Sequence, residues 1–272
     1  MDDNLIYILR REAKAFGIPL DRKQEQLFAL YYDEFQLWNA KINLTSLEGG
    51  VSFVIKHFVD SLLPLPLIPR ETRKILDLGT GGGLPGVPLK IARPDLEVVL
   101  LDSSRKKTSF LKQVVAILGL SGIQVVTGRA EEFYRNESWA KAYDAVISRA
   151  AFKLGPFIEI GSRFLISNGL LFAMKGYDIT PSEEEGGQKA AKKCGMEHIK
   201  TCKTTLPYFE ETSINLSLRG TRGKNNPDGC FSPANISHPT ALAVPGTDSE
   251  VFRNTCENGR SIIVYQKNDC SS

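Results

Sequence analysis

The chain has 272 residues, is 42% hydrophobic and 24% charged, and carries 34 Lys and Arg against 31 Asp and Glu, a formal net charge of +3. This is the composition of a soluble globular protein with enough chain to bury a core in one large domain or one and a half. The mild positive charge is compatible with a nucleic-acid partner and does not require one.

The first residues, Met1-Asp2-Asp3-Asn4, are acidic where a signal peptide would be basic, and no apolar run approaches bilayer length. A cytoplasmic protein without a membrane partner is expected. The five cysteines (Cys194, Cys202, Cys230, Cys256 and Cys270) lie in the last third, with no C-x-x-C pair and no histidine at ligand spacing. They read as reduced thiols, and no metal site is expected.

Apolar residues at mostly helical spacing from Leu5 to Phe16 predict a first helix, ended by Gly17 and Pro19. Asp21 with Gln24 three residues later predicts a capping box, opening a long amphipathic helix up to Asn39. Asn43-Leu44-Thr45-Ser46 is a turn, a third helix is expected over about 49–63, and Pro64, Pro66 and Pro69 mark a linker. Residues 1–70 thus read as an N-terminal helical cap.

Lys74 to Leu78 reads as a buried strand, followed by Gly79-Thr80-Gly81-Gly82-Gly83-Leu84 and then Pro85 opening a helix. A strand-turn-helix of this kind brings backbone N–H groups close to a ligand, since no Cβ holds the ligand away. Gly81, Gly83 and Gly86 satisfy G-x-G-x-x-G, and Asp102 ends the next apolar run, Leu96–Leu101, where a ribose-binding acid would fall. Asp77 turns the reading away from nicotinamide: a carboxylate at that strand end suits a cationic ligand such as S-adenosylmethionine and repels a pyrophosphate. The bland alternative is that Asp77 only caps the turn.

Alternation continues: helix 85–93, strand 96–101, helix 104–119, strand 123–127, then Arg129-Ala130-Glu131-Glu132-Phe133, strand 143–147, helix 153–165 and strand 169–174. The fold class is α/β, a parallel sheet with helices on both faces. Its ligand crevice lies at the carboxyl ends of the strands, which gathers the Gly79 turn, Asp102, Ala130 with Glu131, and Arg149 around one pocket.

Asn43-Leu44-Thr45, His57 with Asp60-Ser61, Asp77 through Gly86, Leu101-Asp102-Ser103, Ala130 through Phe133 and Ile147-Ser148-Arg149-Ala150 together resemble the bacterial small-subunit ribosomal RNA methyltransferase G family, also called glucose-inhibited division protein B. The resemblance covers about residues 5–212. It implies a Rossmann-like class I S-adenosylmethionine-dependent methyltransferase at residues 71–272, with an antiparallel final hairpin. It also implies methyl transfer to the 7-nitrogen of one guanine in 16S rRNA near the decoding centre. By motif, Gly79, Leu84, Ala130, Glu131 and Arg149 become cofactor-binding candidates, joined by Asp77, Gly81, Asp102 and Ser103.

That chemistry needs no general base, because the 7-nitrogen of neutral guanine carries a lone pair and no proton. No catalytic acid or base is named, and catalysis is positioning. Arg149 is a candidate positioning residue whose guanidinium suits a carboxylate, a phosphate or the guanine's acceptor edge; an ion pair with Asp144 or Glu131 is its structural alternative. His57 and Asp60 share a helix face and either line the RNA side or pin the cap to the sheet. Arg105-Lys106-Lys107 either meets phosphates or is a solvated face.

The chain departs from the family pattern at 213–259, 47 residues between Thr212 and the run Arg260–Lys267. Half of Ser213–Asn258 is Asn, Gly, Pro, Ser or Thr, so a flexible insertion in a β-hairpin is expected. The rival readings are a non-catalytic ribosome-assembly factor with this fold, a methyltransferase for a protein or small-molecule acceptor, and hydride-transfer chemistry. A monomer acting on 16S rRNA or the 30S subunit is the expectation carried forward.

Overall fold

The computed structural model describes residues 1–46, 49–207 and 259–268. The helices expected first are α1 (Asp3–Ala15) and α2 (Arg22–Ile42). The capping box is present, with the Asp21 side chain accepting from Gln24 N and the Gln24 side chain accepting from Asp21 N, both at 2.8 Å. Gln24 Nε2 also donates to the carbonyls of Ile91 and Ala92 at 3.0 Å, so the start of α2 is tied to residues far along the chain.

The third helix is not uniform. It runs as α3 (Gly50–Phe53), a π-helical stretch Val54–Val59, then α4 (Asp60–Leu62), before a short 3₁₀ turn at Leu65–Leu67. Apolar periodicity gives no sign of the π segment, which widens the helix at His57. One sequence expectation is corrected here. Gly50–Leu67 is long and apolar enough to span a bilayer by length and composition, but 67% of it is buried in the protein core.

The sheet contains β1 (Lys74–Leu78), β2 (Glu97–Asp102), β3 (Ile123–Thr127), β4 (Tyr143–Arg149), β5 (Leu165–Gly176), β6 (Met196–Thr205) and β7 (Gly259–Lys267). Between them lie α5 (Gly86–Ala92), α6 (Arg105–Ile117), α7 (Ala130–Phe133), α8 (Leu154–Gly161) and α9 (Pro181–Cys194). Strand order is β3-β2-β1-β4-β5-β7-β6. The first five strands are parallel, whereas β7 pairs antiparallel with both β5 and β6. The expected antiparallel hairpin is therefore formed, although residues 213–258 of the expected insertion lie outside the described residues.

Period-two alternation divides the core into two layers. Ile75, Val98, Leu100, Ala145, Ile147, Phe172, Ile262 and Val264 pack with residues of α1, α2, the third helix, α5 and α6. Leu76, Leu78, Val99, Leu101, Val146, Leu171 and Ile263 face α8 and α9 instead. Phe28, Tyr31, Phe35, Phe53, Phe58 and Phe110 are fully buried in the first layer, with Phe35 centred 4.9 Å from Phe53 and 5.4 Å from Phe110. The N-terminal helices thus share one apolar layer with the helices that follow β1 and β2. Among the described residues no three His, Cys, Asp or Glu gather as a metal site, and Cys194 and Cys202 are free thiols.

Candidate cofactor and acceptor site

The carboxyl ends of β1 to β4 form one edge. Gly79 N and Thr80 N donate to the Leu101 carbonyl at 2.9 and 3.2 Å, and Gly128 N donates to the Asp102 carbonyl at 3.1 Å. Ser148 Oγ donates to the Leu78 carbonyl at 2.7 Å, so the end of β4 is fastened beside the glycine turn.

Gly79, Gly81 and Gly83 have φ of 69°, 60° and 91°, the left-handed region that glycine adopts without penalty. Their surroundings differ. A Cβ on Gly79 would lie 2.6 Å from Ala151 Cβ, one on Gly82 would lie 2.6 Å from the Phe35 ring, and one on Gly83 would meet Leu111, Val87 and the Tyr31 hydroxyl. Phe35 of α2 packs onto Gly82, and Leu111, Val87 and the Tyr31 hydroxyl crowd Gly83, so neither position has room for a side chain; Tyr31 donates its hydroxyl to the Gly82 carbonyl. At Gly81 the nearest atom is the Gly79 carbonyl oxygen at 4.0 Å. That residue alone of the turn's positive-φ glycines faces open space.

Beside it stands Asp102, whose Oδ2 accepts from Gly81 N at 2.9 Å and whose Oδ1 accepts from Ser104 N at 2.8 Å. Ser103 is exposed between them, Ala130 is buried at the start of α7, Glu131 is exposed, and Leu84 is buried in the first core layer. Open space over Gly81, flanked by a carboxylate able to accept from paired hydroxyls, fits a nucleoside-bearing cofactor.

Asp77 lies beneath the turn. It is fully buried, and its Oδ2 accepts from Thr80 Oγ1 at 2.7 Å and from Gly86 N at 2.8 Å, tying the two ends of the turn together. Its Oδ1 has no partner. Burial pushes the carboxyl up to about 7, against the lowering effect of those two hydrogen bonds and of Arg149. The capping contacts of the bland alternative are present.

Arg149 turns toward the third helix. Its Nη1 donates to the Lys56 carbonyl at 2.9 Å and to Asp60 Oδ2 at 3.1 Å. The structural alternative had named Asp144 or Glu131; Asp144 instead accepts from Arg73 N and Lys74 N at 2.8 Å. Asp60 is 3% exposed, and its Oδ1 accepts from Arg260 Nε at 2.9 Å. His57 Nε2 lies 2.9 Å from Thr45 Oγ1. Asp60 therefore holds the third helix to the ends of β4 and β7, and His57 ties it to Thr45 in the turn after α2. Arg260 was missed as a site residue, since nothing local ties it to a carboxylate two hundred positions earlier.

Burial, reinforced by the charge of Arg149, pushes the His57 imidazole down to about 3. An unfolded histidine titrates near 6.5. The folded state thus holds a neutral ring, and this contribution to stability is complete above pH ~6.5 and is lost as pH falls toward 3. A His57→Gln variant should lose less stability than the parent between pH 7 and pH 5 in urea unfolding. Equal losses would contradict a buried neutral His57. Asp77 works in the opposite sense over an overlapping range, which is why the comparison between the two proteins is needed.

A family model described as rRNA small subunit methyltransferase G matches residues 24–210, more than half of the chain. A ribosomal RNA small subunit methyltransferase G of Syntrophus aciditrophicus is 41% identical over 170 residues, covering 62% of this chain and 70% of the relative. The protein of that name from Roseiflexus sp. is 32% identical over 238 residues, covering 88% and 97%. Among solved structures, a Galdieria sulphuraria protein described as a sarcosine dimethylglycine methyltransferase superposes with a TM-score of 0.51 at 14% identity, covering 89% of this chain and 99% of the other; that likeness shows the fold alone. With a family model matching residues 24–210 and a relative covered to 97% of its length, the chain belongs to the rRNA small subunit methyltransferase G family.

Proposed function

We propose that the protein transfers a methyl group from S-adenosyl-L-methionine to the 7-nitrogen of a guanine in 16S rRNA. The observation that carries this reading is the open face of Gly81 beside Asp102, in a chain of this family. S-adenosylmethionine supplies an electrophilic methyl group on its sulfonium. Gly81 would admit the cofactor to the turn that Gly79 and Leu84 help shape, Asp102 and Ser103 would orient its hydroxyls, and Ala130 and Glu131 would bound its base. The cap, residues 1–70, stands over a methyltransferase domain at 71–272 in this reading, and the protein works as a monomer in the cytoplasm, where its 30S substrate is.

The chain has only to hold acceptor and donor in line. No residue removes a proton, because the nucleophilic nitrogen has none, and fixed orientation alone is worth effective molarities of about 10⁵ M or more. Arg149 at the end of β4 would help position the acceptor.

The test is transfer of tritiated methyl to 30S subunits that lack the modification, followed by mapping of alkali-labile 7-methylguanine. A single labelled guanine in 16S rRNA is expected. Cofactor binding without label would move the acceptor to a protein or small molecule, and 30S binding without cofactor binding would mark an assembly factor.

A further inference from the structure

Asp60 is shared by two guanidinium groups that reach it from different strands. Arg149 leaves β4 and bonds Oδ2 at 3.1 Å; Arg260 enters β7 and bonds Oδ1 at 2.9 Å. Arg260 has one further hydrogen bond among the described residues, from Nη1 to the Gly259 carbonyl at 2.8 Å. His57 beside them is neutral and adds no charge. Among the described residues two cations are therefore gathered on one carboxylate, leaving one positive charge in excess. Asp60 itself is buried, whereas the Arg149 and Arg260 side chains retain 17% and 22% of their exposure. The excess charge sits at the surface of the site, where a second anion can reach it.

Strand order says which anion. The open glycine Gly81, Asp102 and Ala130 belong to the ends of β1, β2 and β3, on one side of the sheet's centre. Arg149 belongs to β4, the central strand and the direct neighbour of β1, whereas Arg260 belongs to β7, on the other side. At about 4.8 Å per strand, β7 stands roughly 14 Å from β1. Arg149 thus stands beside the cofactor turn, and Arg260 stands beyond it, three strands from β1.

From this placement we infer that Arg260, with Arg149 and held by Asp60, forms an oxyanion-binding pair that takes a backbone phosphate of the substrate RNA. The inference rests on the RNA methyltransferase reading above. The same chemistry would accept the carboxylate of the cofactor's methionine end, and the arms of the experiment separate these two sources. A guanidinium fork matches either oxyanion, but only a phosphate contact releases counterions from a nucleic acid.

The experiment compares full-length wild type with Arg260→Ala and Arg260→Lys. Measured are affinity for unmethylated 30S subunits across a salt series, KM and kcat for methyl transfer, and S-adenosylmethionine affinity without RNA. For Arg260→Ala, 30S affinity should fall roughly tenfold and KM rise by about as much, with kcat within about twofold. The slope of log affinity against log salt should become shallower by about 0.7 to 0.9, one phosphate's share. Arg260→Lys should keep the slope and recover part of the affinity, and cofactor affinity should be unchanged in both. Unchanged 30S affinity and slope would overturn the inference, as would a loss confined to cofactor binding. If the alanine form does not fold, Arg260→Gln gives the same slope readout. A wild-type protein that methylates no guanine sinks the functional reading instead, and does so before any variant is compared.

Discussion

A Gly81→Val variant should lose S-adenosylmethionine affinity by roughly 100-fold or more and methyl transfer with it, while folding at a cost of about 1–2 kcal/mol. The folding cost comes from a branched side chain at φ 60°. It stays small because the nearest atom to a Cβ there is 4.0 Å away. The binding loss is large because that same space is where the cofactor would lie against the backbone. Gly83→Val reverses the order of effects. Its Cβ would stand 2.8 Å from Leu111 and Val87 carbons, so the loss falls on folding. Titration calorimetry with the cofactor and urea unfolding separate the two variants; a Gly81→Val protein that binds normally would remove the turn from the cofactor site.

Asp60→Ala carries the largest expected effect on stability, about 3 kcal/mol, near the lower end of what breaking a buried ion pair costs. The carboxylate is 3% exposed and accepts from Arg149 and Arg260, so its removal leaves two cations close together without their common partner. The residual exposure of both guanidiniums keeps the cost from rising further. Asp60→Asn, which retains one acceptor, should cost less. The double variant Asp60→Ala/Arg260→Ala should be more stable than the sum of the two single changes predicts, because it removes one of the opposed cations. Chemical denaturation of all four proteins checks this, and an Asp60→Ala protein within ~0.5 kcal/mol of wild type would show that the hub does not support the fold.

Much of the scaffold was legible locally. The Asp21–Gln24 box, the glycine turn and the apolar strand runs each carry their signal within a few residues, and each formed where expected. The last helix was not read, and the edge strand was expected only through the resemblance. α9 contains Gly186 and Gly187, and β6 is exposed along most of its length, so neither shows a clear apolar period. The site was legible to the extent that backbone conformation defines it. Which glycine faces open space was not, because the packing of Phe35, Tyr31 and Ala151 decides it from elsewhere in the chain. Likewise Asp77 was readable as a carboxylate at a strand end, but its position beneath the turn depends on Thr80 and Gly86 closing over it. The ion pairs on Asp60 span separations of 89 and 200 residues, beyond any spacing rule.

The place of β7 between β5 and β6 also sets a schedule for synthesis. β6 ends at Thr205 and β7 begins at Gly259, so 53 residues must be made before the strand that joins them exists. At about 5–20 residues per second this is a wait of roughly 3–10 s. During it β5, whose Leu171, Phe172 and Ala173 will be buried on both faces, presents an unpaired apolar edge. The nascent chain is then most exposed to wrong pairing with its neighbours on a polysome. A ribosome that stalls within that interval would release an enzyme with its glycine turn complete and its sheet unfinished.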